Sequence, residues 1–380
     1  MIISKDILHD SRVDRHARAL GEIGHEVVVL CRPSATKQPK RERREYYEVI
    51  RYPYPLQQVS ARQMLDTPFK SGLSKLNRIA GFTALLFLTK LRLYFLALRI
   101  RAQLYYCNDL DTLDVGVIVK LAKRKIVYDS HELSVEALPI GKRRSLYRIF
   151  ESLFVNFADV MITVNPFIAE ELRRRYRIKK RIHIVMNCPD SIELPKHKAS
   201  PKTITVLYHG LFDSDRGLEN LIFASKYFLS HVKLVFRGEG KLESRLRQLA
   251  SGASNISFEK TVRLKEVLQT ASAADIGTIP YPATNMNNYF CSPNKLFEYI
   301  QAGLAVVASD LPFLRQIVVG NDVGLVFDPN DPSDIAKKIN LVSNRENLAK
   351  FRQRTLEVRL RYTWRQEKFR LYDAIGDLET

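Results

Sequence analysis

Four cysteines in 380 residues, Cys31, Cys107, Cys188 and Cys291, lie far apart with no paired spacing. That excludes a disulfide framework and a cysteine zinc site, and it fits a reducing cytoplasm. The eight histidines show no ligand-like spacing with acidic or cysteine partners, so no metal centre is expected. No apolar run is both long and uncharged. Ile79 to Leu98 comes nearest, but Lys90 and Arg92 interrupt it, at about 2.5–3.5 kcal/mol each on insertion scales. The run is expected to be a core helix rather than a membrane span. The alternative is an interfacial helix with Phe82, Phe87, Tyr94 and Phe95 dipping into lipid. No signal peptide opens the chain, because Met1 to Asp6 turns charged at once.

Positive charge is abundant. The net charge is +19, and residues 1–190 hold 34 Lys and Arg against 20 Asp and Glu, or +14 of it. The densest stretches are Arg41 to Arg44, Lys123 to Lys125, Lys142 to Arg144 and Arg173 to Arg181. Such a field suits a polyanion, either nucleic acid or an anionic membrane surface. A nucleic-acid-binding protein is one reading of the charge. It lacks aromatic and basic residues interleaved on a strand platform and any helix-turn-helix or zinc signature, so no nucleic-acid partner is expected.

The length exceeds one usual hydrophobic core, which sets two domains as the default. Short β-branched runs alternate with helical segments throughout, the pattern of parallel sheets covered by helices on both faces. Strands are expected at Val27–Leu30, Leu104–Tyr106, Lys125–Tyr128, Val160–Val164 and His183–Val185, with Met1–Ile3 as the remnant of a first strand. A second series follows at Ile204–Tyr208, Lys233–Phe236, Ile256–Phe258, Asp275–Ile279, Ala305–Ala308 and Gly324–Phe327. From Asp190 to Lys202, Pro195, Pro201, three lysines and little apolar pattern mark a linker. The expected division is an N-terminal Rossmann-like domain over 1–193, a linker over 194–203, a second such domain over 204–355, and a C-terminal helix over 356–380 returning to the first domain. The fold class is α/β, two doubly wound domains facing across a cleft that would hold the ligand.

The most informative segment runs from Ser292 to Gly303. Ser292 suits a helix cap, Pro293 the first helical position and Gly303 a left-handed exit. Lys295 in a first turn is unfavourable beside the positive end of the helix dipole unless an anion lies there. Glu298, one turn on, is at a reach suited to a ribose diol. Two further strand-to-helix turns, His209 to Gly217 and Arg237 to Lys241, bring Gly210, Arg216 and Gly238 to the same sheet edge, where backbone amides converge on phosphates. Arg216 could clamp a diphosphate bidentately. In the first half, Tyr128-Asp129-Ser130-His131-Glu132 ends a strand and directs His131 to the cleft, unless His131 merely caps against Glu132 or Asp129. Asp10-Ser11-Arg12 is either a helix start or, through Arg12, an anion contact.

With these residues in view, the chain resembles a GT-B glycosyltransferase of the large retaining family 4, in a bacterial branch. The likeness is densest over Ser292 to Gly303, Val306 to Asp310 and Gly324 to Pro329, and extends to Ile7–Val13, Asn108–Leu113 and Tyr128–Glu132. The resemblance implies transfer of a hexose-type sugar from a UDP- or GDP-linked donor, with retention at the anomeric carbon and no cofactor or essential metal. The acceptor would be lipid-linked or a polysaccharide, in envelope, exopolysaccharide or lipopolysaccharide assembly, at the inner face of the plasma membrane. It places Glu298 on the donor ribose, Arg216 on the diphosphate and His131 beside the transferred sugar. Gly210, Gly238, Thr261, Val262, Asn294, Lys295 and Leu296 fall on the donor side, and Asp10, Arg12 and Asp109 on the acceptor side. The chain departs from the family at two positions. The first glutamate of the family's pair is Phe290 here, and the arginine after the glycine of the first turn is Leu211. The family's glycine-rich first loop is replaced by His9 to Arg12. The same fold hosting an epimerase or a non-catalytic subunit is the remaining alternative.

Overall fold

The computed structural model describes residues 1–34, 38–52, 72–194 and 203–378. The expected linker lies almost wholly outside them, as does the side chain of Phe82. The chain forms two compact units, one made of Met1–Thr163, Glu171–Ile184 and Arg370–Thr380, the other of Val164–Glu170 and Val185–Phe369.

In the first unit, β1 (Val27–Cys31) pairs in parallel with β3 (Tyr47–Arg51), whose other edge carries the antiparallel β2 (Arg41–Arg43). β4 (Leu104–Asn108), β5 (Lys125–Ser130), β6 (Val160–Thr163) and β7 (Ile182–Ile184) form a parallel run in that order. Ile2 joins the two sets. It bridges Leu30 on one side and Cys107 on the other, and its N–H donates to Tyr106 O at 2.8 Å. The expected first strand is therefore present as a central bridge. The β2–β3 pair was not legible in the sequence, because its charges mask the alternation. Within it, Glu42 accepts from both Arg44 (2.8 Å) and Arg51 (2.6 Å), so this basic stretch is partly neutralised.

Helix α1 (Ser11–Glu22) buries Val13, Ala17 and Leu20, an i, i+4, i+7 stripe. The long α2 (Gly72–Ile100) packs on α3 (Leu113–Leu121) through Thr89, Leu93 and Ala97, all buried. Lys90 Nζ lies 2.7 Å from an Asp114 carboxylate oxygen, and Tyr94 donates its hydroxyl to the same group at 2.8 Å. The opposite face, with Phe87, Leu88, Leu91, Phe95 and Leu98, is exposed. The core-helix expectation thus holds for one face only, and Tyr94 is not a lipid-facing ring. No described helix is long and apolar enough to cross a membrane. Near the C-terminus, Tyr372 donates to Ala19 O at 3.1 Å and Asp377 lies 2.9 Å from His183 Nε2.

The second unit is one six-stranded parallel sheet: β8 (Ile204–His209), β9 (Val232–Arg237), β10 (Ile256–Glu259), β11 (Ile276–Ile279), β12 (Ala305–Ser309) and β13 (Gly324–Phe327). The spatial order β10-β9-β8-β11-β12-β13 reverses direction between β8 and β11, and ligands bind at the carboxyl ends beside such a switch point. Helices α5 (Leu218–Ser225) and α6 (Asn294–Gln301) start at that edge. Tyr299 locks α6 onto β11: a Cβ on Gly277 would lie 2.3 Å from the Tyr299 ring. Gly277→Ala is therefore expected to cost about 1–3 kcal/mol by overpacking, measured by chemical denaturation.

Candidate functional site

Three loops at the carboxyl edge of the second unit bring a group of cationic side chains together. After β8 the chain turns at Gly210, with φ +122°, and a Cβ there would meet Lys295 Nζ at 3.2 Å. Gly210 N donates to Arg237 O at 2.9 Å, and a Cβ on Gly238 would lie 1.9 Å from Gly210 O. Gly238 is thus required by the close approach of the two turns, and Gly210 by its positive φ. Thr261 and Val262 follow β10 at the same edge.

Lys295 is buried, its ammonium 4.0 Å from the Tyr208 ring centroid and donating to the Tyr281 hydroxyl at 2.9 Å. Arg216 lies over the same tyrosine, its guanidinium carbon 4.5 Å from the Tyr281 centroid. Burial, then repulsion from Arg216, lowers the Lys295 pKa to about 7. In the free protein this group destabilises the fold fully below pH 7, and the penalty fades as pH rises through 7 toward the ordinary lysine value. A bound diphosphate reverses the preference by favouring the ammonium. Nucleoside diphosphate affinity is therefore expected to fall as pH rises above about 7, by up to about tenfold per unit, with uptake of a proton on binding. Calorimetry in buffers of different ionisation enthalpy checks this, and Lys295→Met should abolish the dependence.

Glu298 pairs with His209, Nε2 to carboxylate 2.7 Å, while His209 N donates to the Tyr299 hydroxyl at 3.1 Å. Pro293, not Ser292, is the N-cap of α6, and no side chain caps the helix. Ser292 Oγ is buried with no hydrogen-bond partner among the described residues. Proline fixes the entry angle, so the serine falls one residue too early to reach the first-turn amides. Gly303 does take the left-handed exit, φ +74°. Asn294 is exposed and accepts from Asn187 Nδ2 at 2.6 Å. Leu296 does not line the site: its side chain is fully buried and its N–H donates to Pro293 O at 3.0 Å. Phe290, where the family carries a glutamate, stacks on Phe167 with centroids 6.1 Å apart, and Asn165 Nδ2 donates to its carbonyl at 2.8 Å. Sequence reasoning passed over His209, Tyr208, Tyr281 and Arg237 as site residues. Each ends or follows a strand at this edge, the one signal available, and Arg237 Nη1 has no hydrogen-bond partner among the described residues.

The first unit holds a buried charge cluster at the ends of β4 and β5. Arg12 grips Asp129 bidentately, Nε at 3.0 Å and Nη2 at 2.8 Å. Tyr106 also donates to Asp129, at 2.7 Å, so His16 Nδ1, 2.8 Å from the Tyr106 oxygen, must be the donor in that contact. Arg12 is therefore a structural counter-ion and not an open anion contact, a correction that follows from its burial. Asp10 caps α1, accepting from Val13 N at 3.0 Å, and pairs with Lys5 at 3.1 Å.

His131 lies between two carboxylates: Nδ1 is 3.4 Å from Asp109 and Nε2 3.4 Å from Asp129. Burial alone would lower its pKa, but Asp109 and Asp129 outweigh it and raise it to about 10. The imidazole is thus a cation at neutral pH, and of the two carboxylates expected as its local partners it meets Asp129, together with Asp109. Asp109 adopts φ 62°, ψ 167°, a region open almost only to glycine. Its N–H donates to Asp129 O at 3.0 Å, which helps hold this strained backbone.

Two family models match the chain. A glycosyl transferase 4-like domain covers residues 10–188, and glycosyl transferases group 1 covers residues 203–344. No curated protein matches it in sequence. Among solved structures, it is similar to sucrose-phosphate synthase from Thermosynechococcus elongatus, at 18% identity and TM-score 0.74, over 96% of this chain and 92% of that one. Anabaena HepE in complex with UDP is similar at 14% identity and TM-score 0.69, over 99% and 98%. A glycosyltransferase from Rickettsia africae aligns at 11% identity and TM-score 0.68, over 100% and 98%. At these identities the structural likeness is one of fold.

Proposed function

Since this chain belongs to the GT-B glycosyltransferases, a glycosyl transferase 4-like domain followed by a group 1 domain, we propose that it transfers a hexose-type sugar with retention from a nucleotide-linked donor to a lipid-linked or polysaccharide acceptor. Such transfers serve envelope, exopolysaccharide or lipopolysaccharide assembly. The observation that carries the donor half is the cluster of Lys295, Arg216 and the Glu298–His209 pair around Gly210, beside the switch point of the sheet. Glu298 accepts from the ribose hydroxyls, and backbone near Thr261 and Val262 meets the base. Anabaena HepE was solved with UDP and with UDP-glucose, which supports a uridine diphosphate donor over a guanosine one.

Departure of the nucleoside diphosphate builds negative charge on phosphate oxygens. Lys295, Arg216 and the uncapped amides of α6 are fixed positive groups suited to stabilise it, the task a divalent metal performs elsewhere. We expect no metal requirement. His131 supplies a second cation and hydrogen-bond donor, toward the transferred sugar. Asp129 is a poor nucleophile because Arg12 and Tyr106 occupy its lone pairs. Attack from the leaving-group face, with the departing phosphate taking the acceptor proton, is the favoured route to retention. A glycosyl adduct trapped on Asp129 or Asp109 and found by mass spectrometry would overturn it.

The excess of cations in residues 1–190 supports work at an anionic membrane surface, on the inner face of the plasma membrane. Thermal-shift screening against nucleoside diphosphates and their sugars tests the donor assignment. One base should stabilise selectively, by about 2.7 kcal/mol at a concentration of 100 Kd, and no stabilisation by any of them would sink it.

A further inference from the structure

The exposed face of α2 is a stripe. Leu88, Leu91, Phe95 and Leu98 recur at spacings of three and four, and Phe95 keeps 66% of its surface in water. The inward face is already satisfied by α3, so this is a helix apolar on both sides with only one side covered. Helix α4 (Lys142–Phe154) also packs on α3 and repeats the pattern. Its Leu146, Ile149 and Leu153 are exposed at the same three-four spacing, and Ile140, just before it, is 91% exposed.

Charge identifies what covers this layer. Between Asp66 and Asp109 the sequence holds no acidic residue, and between Glu136 and Glu151 there is again none. Arg92 and Arg99 flank the α2 stripe, and Lys142 and Arg143 open α4 beside its own, all exposed, while Arg148 is paired with Glu136 at 2.8 Å. A two-fold contact between copies would lay these two acid-free stretches on themselves and set arginine against arginine. A bilayer bearing anionic headgroups offers apolar depth to the leucines and phenylalanines and negative charge to the cations around them.

We propose that the outward faces of α2 and α4 form the membrane-docking surface of the first unit, binding anionic bilayers with the leucine and phenylalanine stripes inserted at the headgroup boundary. The inference rests on the membrane reading given above and assigns it to named residues. Flotation with vesicles of equal parts phosphatidylglycerol and phosphatidylcholine tests it on the full-length chain. Wild type should float with these vesicles and far less with phosphatidylcholine alone. The double variants Leu88→Ser/Phe95→Ser and Ile149→Ser/Leu153→Ser should each lose at least about tenfold in vesicle partitioning. Both should keep the thermal shift given by nucleoside diphosphate, which shows that the fold and the donor site survive. Variants that float like wild type overturn the assignment while leaving membrane association standing. A wild type that floats with no vesicle overturns both. A wild-type dimer that the α2 variant converts to monomer makes the stripe a self-association seam and overturns the proposal.

Discussion

Glu298→Gln is expected to lose about 100-fold or more in kcat/KM while its melting temperature stays within a few degrees of wild type. Hydrogen bonds to a charged group contribute about 1.5–3 kcal/mol each, and a ribose diol offers two. The change also strips His209 of its 2.7 Å partner, so the imidazole is no longer held where the carboxylate fixed it. The fold should tolerate the swap because Glu298 is only partly buried and glutamine keeps its size and shape. His209→Ala should give the same direction with a smaller loss, since it removes the orienting group and leaves the acceptor. Steady-state kinetics with the donor identified by thermal shift decides the matter. Wild-type kcat/KM in Glu298→Gln would remove the ribose role and with it the donor site as drawn.

His131→Ala should lower kcat by about 100-fold or more, the range seen when a preorganised positive donor is lost at a reacting centre. Nucleoside diphosphate binding, which rests on the second unit, should change little. The more revealing experiment is Asp109→Asn. Removing one carboxylate brings the imidazolium back toward the ordinary histidine range, so a new limb enters the pH–rate profile near neutrality, whereas wild type shows none from this group until about pH 10. The same shift has a stability signature. His131 titrates higher folded than unfolded, so its contribution is complete below about pH 6.5 and is lost as pH rises toward 10. A wild-type profile with a histidine limb near 6.5 would mean the two carboxylates do not hold the ring as described.

Much of this was legible from residue order alone. All six strands of the second unit lie within one residue of the runs that announced them: β11 and β12, buried on both faces, leave a continuous apolar signature, and β9 and β10 an alternating one. Gly303 was legible for a similar reason, since a left-handed exit narrows the choice of residue. Partnership was not. Nothing in the sequence tells that Arg12 spends its guanidinium on Asp129, 117 positions away, or that Glu298 answers to His209 across the sheet edge. Such pairs are set by the order of strands in space, which local periodicity does not encode. The β2–β3 pair was lost for the opposite reason, its pattern hidden under arginines and glutamates that pair only once folded. Helix α2 shows a third limit: hydropathy reports how apolar a helix is, not how many of its sides find cover.

The division of the chain bears on how the molecule is made. Synthesis delivers Met1 to Thr163 early, yet the unit those residues build also needs Arg370–Thr380, which follow the whole of the second unit in sequence, for contacts such as Tyr372 on Ala19 and Asp377 beside His183. Val164–Glu170, made early, waits for a second unit whose sheet does not yet exist, where Asn165 and Phe167 will meet Phe290. The first unit cannot finish during translation until the second has emerged, and the second draws on a segment embedded in the first, so cutting the gene at the linker would yield two incomplete bodies rather than two domains.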